Sequence, residues 1–188
     1  MAYFIQPCFH WIGFHLVEYL LKNGQEVIGV DPIDSDKEEF KYLWIGRNSN
    51  FQHFRTRLGM EKHCDTEHIE REFVIDNEKG TITMEVSNIK RQEKKEEYVL
   101  PVPHLYGEWM PRDEETLNMN GERISVEDYI KREDTVYIED FVHQLLRWKD
   151  SDSRNEEPSF ISDNHKSDDQ MVKRLNEHYM KYRIYYES

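Results

Sequence analysis

Residues 2–31 read Ala-Tyr-Phe-Ile-Gln-Pro-Cys-Phe-His-Trp-Ile-Gly-Phe-His-Leu-Val-Glu-Tyr-Leu-Leu-Lys-Asn-Gly-Gln-Glu-Val-Ile-Gly-Val-Asp, and this stretch decides the fold. Residues 2–5 are a short apolar run ahead of Pro7, the pattern of a buried strand. Ile12, Leu16, Val17, Leu20 and Leu21 then recur at helical spacing, and Lys22-Asn23-Gly24 is a helix stop. Val27 to Val30 is a second apolar run, ended by Asp31-Pro32. Strand, helix and strand within about 30 residues make a βαβ unit, which implies two parallel strands joined by a right-handed crossover.

Working outward, Asp34 to Glu39 suits a loop or short helix, and the aromatic and arginine mixture from Lys41 to Leu58 fits no single periodicity. Residues 71–76 and 81–86 alternate as strands around Asn77-Glu78-Lys79-Gly80, which predicts a hairpin. The charge run Lys90 to Glu97 suits a solvated helix or loop. Tyr98 to Val102 is a further strand candidate. Ser125 can cap a helix running to Ile130, and Ile138 to Trp148 has one apolar face. Residues 150–170 are polar and read as a linker. Met171, Leu175, Tyr179, Tyr182 and Tyr186 then form one stripe of a closing amphipathic helix. Such a stripe is expected to dock, on its own core or on a second copy.

Composition narrows the function. The chain has 188 residues, a net charge of −13, 37% hydrophobic residues and 13% aromatic residues. That charge repels phosphate backbones and anionic lipid, so neither nucleic acid nor a membrane is the expected partner. Ala2 is the only alanine, so the core packs through larger side chains. Cys8 and Cys64 are too few for a disulfide framework. The apolar first 21 residues lack a basic start and a small-residue cleavage site and carry His10, His15 and Glu18, which points to a cytoplasmic chain.

Residues 11–31 resemble the first helix and second strand of the NAD-dependent epimerase/dehydratase family, the extended short-chain dehydrogenases. That family opens with G-x-x-G-x-x-G, continues with F-I-G-S-H-L-like residues, and closes its second strand with an acidic residue. Aligned on Gly13, the three glycine positions hold Pro7, His10 and Gly13, and Asp31 stands at the acidic position. Residues 99–107 resemble the family's strand ending in a Y-G-P turn, with Tyr106 and Gly107 retained and Glu108 in place of the proline. Residues 136–146 resemble its Y-V-x-D helix start through Tyr137 and Asp140. The resemblance implies an α/β fold with a Rossmann-like βαβ start and a reduced, mixed sheet flanked by helices. With the polar linker and the closing helix read above, the chain divides into one family-like domain over residues 1–149, a linker over 150–170 and a terminal helix over 171–188. The substrate-side residues would be Tyr106, Gly107, Tyr137 and Asp140.

Two losses bear on activity. In the family the first glycine permits the strand-to-helix turn and the second lets backbone approach the pyrophosphate. Pro7 fixes φ and removes an N–H, and His10 puts an imidazole into the phosphate space. The family's Y-x-x-x-K acid/base pair has no counterpart, since no tyrosine here is followed by lysine four residues on; Tyr179 has only Arg183 there. The expectation is therefore a non-catalytic protein with no bound cofactor and a binding or assembly role. Its partner would be a protein or a second copy engaged through the C-terminal helix. The alternatives are an NAD(P)-binding oxidoreductase with an atypical loop and a sugar-nucleotide sensor.

Two other groupings carry weaker chemistry. His63, Cys64 and His68 could approach a metal from one helix face, but they lack a second ligand pair, so no metal is expected. Arg47, Arg55 and Arg57 with Trp44, Phe51 and Phe54 could face an anionic ligand, although arginines snorkelling from a half-buried segment explain them as well.

Overall fold

The computed structural model describes residues 2–86, 96–119, 121–148, 158–162 and 167–187. They fall into two compact units, Met1–Val102 and Pro103–Ser188. The division lies inside the 99–107 segment.

The first unit is built on β1 (Ala2–Gln6), which is buried on both faces: Phe4 and Ile5 are each fully covered. It pairs in parallel with β2 (Glu26–Val30), Phe4 opposite Ile28. Between them runs α1 (Trp11–Lys22), whose Ile12, Phe14, Leu16, Val17, Leu20 and Leu21 are buried. It stops at Asn23 and at Gly24, where φ is +72°, a conformation that suits glycine. The expected βαβ unit is present.

The stretch that sequence pattern left unassigned is regular. A capping box of Ser35 and Glu38 starts α2 (Asp36–Ile45). β3 (Phe51–Phe54) adds in parallel beside β2. α3 (Arg57–His63), capped by the Thr56 hydroxyl, and a 3₁₀ turn at Thr66–His68 lead to β4 (Ile69–Asp76), which joins the other side of β1 in parallel. Ala2, Phe4, Ile28, Val30 and Ile69 cluster with Met60 of α3 on one face of the sheet.

The sheet then changes direction. β4 turns through Asn77–Gly80 into β5 (Thr81–Val86), and β6 (Glu96–Pro101) follows, both antiparallel. Gly80 has φ +61°, and the Asp76 carboxylate accepts the Lys79 N–H at 3.1 Å, so the turn supplies its own hydrogen bonds. The order is β3-β2-β1-β4-β5-β6. This is an α/β fold with a Rossmann-like start, a mixed six-stranded sheet and flanking helices. Of the charge run, Glu96 and Glu97 belong to β6, whereas residues 90–95 lie outside the described residues.

The second unit pairs β7 (His104–Tyr106) in parallel with β10 (Thr135–Tyr137). A hairpin of β8 (Thr116–Met119) and β9 (Glu122–Ser125) precedes α4 (Val126–Ile130), which the Ser125 hydroxyl caps as its sequence suggests. α5 (Ile138–Trp148) buries Ile138, Phe141, Val142, Leu145 and Leu146. α6 (Asp168–Tyr186) begins inside the range read as linker; residues 149–157 and 163–166 of that range and its flank lie outside the described residues. The described piece between them is packed, Phe160 lying 4.7 Å from the Phe141 ring.

α6 docks within its own unit through Met171, Leu175 and Tyr179. The stripe then breaks at Tyr182 (φ −118°, ψ 22°), and Tyr182 and Tyr186 turn to the Trp109 indole at 5.2 and 5.5 Å. Trp109 itself has φ +64°, a region rare for a bulky residue. The strain is offset by this stacking and by its N–H, which donates to the Tyr186 hydroxyl at 2.7 Å. Among the described residues no helix is long and apolar enough to cross a membrane.

Close backbone approach falls to glycine in a chain so poor in alanine. A Cβ on Gly13 would lie 2.1 Å from the Pro7 carbonyl oxygen, which no rotamer change can relieve. Gly80, by contrast, has open space around it. Gly13→Ala is therefore expected to lose about 3 kcal/mol of stability by overpacking, and Gly80→Ala about 1 kcal/mol from its left-handed φ. Urea unfolding of the two variants checks this; equal losses would contradict the assigned contact.

Candidate functional site

Parallel α/β sheets bind ligands outside the carboxyl ends of their strands, where the strand order reverses. Here the chain winds from β1 to β2 to β3 and then returns to the opposite side of β1 with β4. Pro7, His10, Gly13 and Asp31 all lie at that edge, so four residues singled out from sequence do come together.

They form a closed structure. The Pro7–His10 segment packs down: Pro7 touches Gly13, and Cys8 sits so close to Gly29 that a Cβ there would meet its sulfur at 2.8 Å. The Cys8 N–H donates to Val30 at 3.2 Å, and the Phe9 ring is 2% exposed, 5.1 Å from the His53 ring. The Asp31 carboxylate accepts the Phe9 N–H at 2.7 Å. On the other side Lys41, which is 1% exposed, donates from Nζ to the Phe9 carbonyl at 2.6 Å, with its ammonium 5.4 Å from the Phe14 ring centre. One residue's backbone is thus gripped at its N–H by an acid and at its C=O by an amine.

Burial sets the charge states. It raises Asp31 to about 6, with the Phe9 amide as the main opposing influence. It lowers Lys41 to about 7, assisted by Lys37 and opposed by Asp31 and Glu38. His10 falls to about 4 because it is desolvated and faces Lys41 and Lys37. A neutral imidazole at the first turn of α1 is no phosphate-binding cation near pH 7. Burial also raises the Cys8 thiol well above its ordinary range, so it is not a poised nucleophile.

Lys41 and His53 escaped the sequence reading. His53 donates from Nε2 to the Asp31 carbonyl at 2.8 Å and so fixes the end of β2. The legible signal was Ser35-Asp36-Lys37-Glu38, a capping box; once α2 starts there, positions 37, 41 and 45 share a face and Lys41 must point inward.

In the second unit Tyr106 and Tyr137 are register partners on β7 and β10, their rings 5.5 Å apart. A Cβ on Gly107 would strike Ile138 at 2.2 Å. Asp140 accepts the Ser162 hydroxyl at 3.4 Å. These four residues also gather. Burial raises the Tyr106 and Tyr137 phenols above their ordinary value, and the Glu108 carboxylate adds to the effect on Tyr137. Neither is tuned for proton exchange near neutral pH. Glu108 accepts the Tyr137 hydroxyl at 2.9 Å and pairs with Arg174 of α6 at 2.6 Å. Arg174 lies 5.5 Å from the Tyr137 ring centre and reaches Glu139 at 3.3 Å.

The remaining candidates do not assemble. His63 approaches the Gly59 carbonyl at 2.8 Å, His68 pairs with Asp65 at 2.9 Å, and Cys64 points to Gln52 at 3.6 Å. Among the described residues no three potential metal-ligating side chains converge. Arg55 pairs with Asp34 at 2.9 Å and Arg57 with Glu72 at 2.5 Å, while Phe51 is buried.

Comparison with family models, with curated proteins and with solved structures gave no match.

The Glu108–Arg174 pair yields a test. Arg174→Met leaves a buried carboxylate without its cation and is expected to cost about 3 kcal/mol. Adding Glu108→Leu should recover a large part of that loss, since no charge is then stranded. Denaturant unfolding of both single variants and the double decides it; additive losses would count against the pair.

Proposed function

We propose that this chain is a non-catalytic relative of the NAD-dependent epimerase/dehydratase family, serving in binding or assembly, with its dinucleotide site occupied by its own side chains. The observation that carries this reading is the Asp31 carboxylate on the Phe9 N–H. In the dinucleotide-binding loop those amides face a pyrophosphate and the acid after strand two faces a ribose. Here the acid takes the amide itself, and a second anion would meet an occupied donor and a carboxylate.

Chemistry is opposed by the same residues. Pro7 and His10 stand where glycines admit phosphate, and the chain has no Y-x-x-x-K pair to shuttle a proton. The buried phenols of Tyr106 and Tyr137 do not replace it. A role in assembly gives the C-terminal helix a second use: α6 spends Met171, Leu175 and Tyr179 inside its unit and leaves Met180 and Ile184 exposed for a protein partner or a second copy.

Calorimetric titration with NAD(H) and NADP(H) is expected to give no binding tighter than about 100 μM, roughly −5.5 kcal/mol. Incubation with nucleotide sugars is expected to yield no product above a blank by mass spectrometry. A tighter constant, or product lost on Asp31→Ala, would replace this reading with that of a cofactor-dependent enzyme.

A further inference from the structure

The outward face of α2 is apolar in the middle and charged at its two ends. At about 100° a residue, Asp36, Glu39, Phe40, Leu43, Trp44 and Arg47 fall on one stripe, while Lys41 and Ile45 on the other side are buried. Gly46 keeps helical φ/ψ (−66°, −9°), so Arg47 continues the stripe one turn past Leu43. Leu43 is 60% and Trp44 55% exposed, and the half-buried Phe40 ring lies 5.9 Å from that of Trp44. Asp36 and Glu39 at one end and Arg47 at the other are all exposed. Among the described residues these three side chains have no ion pair or hydrogen bond, whereas neighbouring Asp34 pairs with Arg55 and Glu18 accepts the Trp44 N–H.

A two-fold contact requires a patch to match its own copy turned end for end, and this one does. We propose that α2 is a self-association surface, on which a second copy of this chain lays its own α2 antiparallel about an axis between residues 41 and 42. The inference goes beyond the functional reading above and does not rest on it. In that register Asp36 stands level with the partner's Arg47 at both ends of the contact, and Glu39 lies within a turn of it. Phe40 stands level with the partner's Leu43, and Trp44 comes beside the partner's Phe40. Unlike charges meet at each end, apolar groups meet in the middle, and the two helix dipoles oppose. A parallel pair would instead set Asp36 against Asp36 and Arg47 against Arg47.

The exposed Met180 and Ile184 of α6 offer no such match. The charges around them are paired along the helix itself, Lys173 with Glu177 at 3.9 Å and Arg183 with Glu187 at 2.6 Å.

Size limits the strength of the α2 contact. One helix face is small beside the ~800 Å² a side of a standard interface, and two chains of net charge −13 repel. At physiological salt, charges more than about 8 Å apart are largely screened. The close end pairs and the apolar middle then outlast the repulsion, giving a reversible dimer with a dissociation constant on the order of tens of micromolar.

Sedimentation equilibrium of the full chain at about 0.15 M salt, from about 5 to 500 μM, should show the mass rising from monomer toward dimer. Arg47→Glu sets acid against acid at both ends, and Asp36→Lys with Glu39→Lys sets base against base. Each variant alone should associate at least about tenfold more weakly. Mixed in equal amounts the two should dimerise again, because every end contact then joins unlike charges, a rescue that damage to folding would not give. Leu43→Asp should abolish the dimer with both charged ends intact. An unmodified chain that stays monomeric overturns the proposal whatever the variants do. So does a mixture of the two folded charge variants that stays monomeric. A dimer that persists in Arg47→Glu and is lost in Ile184→Asp moves the contact to α6 and overturns it as well.

Discussion

The peptide backbone at Phe9 is the constraint from which the first unit is organised. Its N–H and C=O lie where a strand has ended and a helix has not begun, so neither ladder can satisfy them. Asp31 reaches them from the end of β2 and Lys41 from the inner face of α2. Two neighbouring elements are thereby fixed to the loop between β1 and α1. Aromatic packing follows: the Phe9 ring has a place beside Tyr42 and His53 because its backbone is held.

The second unit solves a related problem with different chemistry. Its core must absorb Glu108 and Arg112, both buried. Glu108 is neutralised by Arg174 and hydrogen-bonded by Tyr137. Arg112 donates to the carbonyls of Asp113 and Glu114 and to Asn176, with its plane 5.0 Å from the Tyr179 ring centre. Three of these partners, Arg174, Asn176 and Tyr179, come from α6. The helix is thus held by polar partners as well as by its apolar stripe, and such groups favour one seating over a sliding apolar fit.

Much of this was legible because the deciding signals are local. The βαβ start, the Asn77–Gly80 hairpin, the Ser125 cap and the apolar face of α5 each declare themselves within a dozen or so residues. The edge carrying Pro7, His10, Gly13 and Asp31 was legible for the same reason, through residue types with fixed backbone roles. What failed was non-local. Lys41 reads as a surface lysine until the phase of α2 is known, and His53 lies on a four-residue strand too short to show alternation. The unit boundary at 102 was obscured because Tyr98 to Gly107 reads as one continuous strand and turn. The start of α6 was obscured because its first turn is Asp168-Asp169-Gln170, polar residues that suit a helix N-terminus and a linker equally.

The reversal of strand direction after β4 also bears on how the sheet can assemble. β4 and β5 are joined by a four-residue turn, and their register pairs Asp76 with Thr81 and Val74 with Thr83. β1 meets β4 only when Phe4 finds Glu72, after the whole crossover chain has been drawn in. Loop-closure entropy ranks these events, since short closures are fast and distant ones slow. By that ranking the β4–β5 hairpin forms first as a local template, the β1–β2 and β2–β3 crossovers follow, and the β1–β4 pairing, which closes the longest stretch of chain, joins the two halves last. A sheet of the same size built wholly from crossovers would have no such local template.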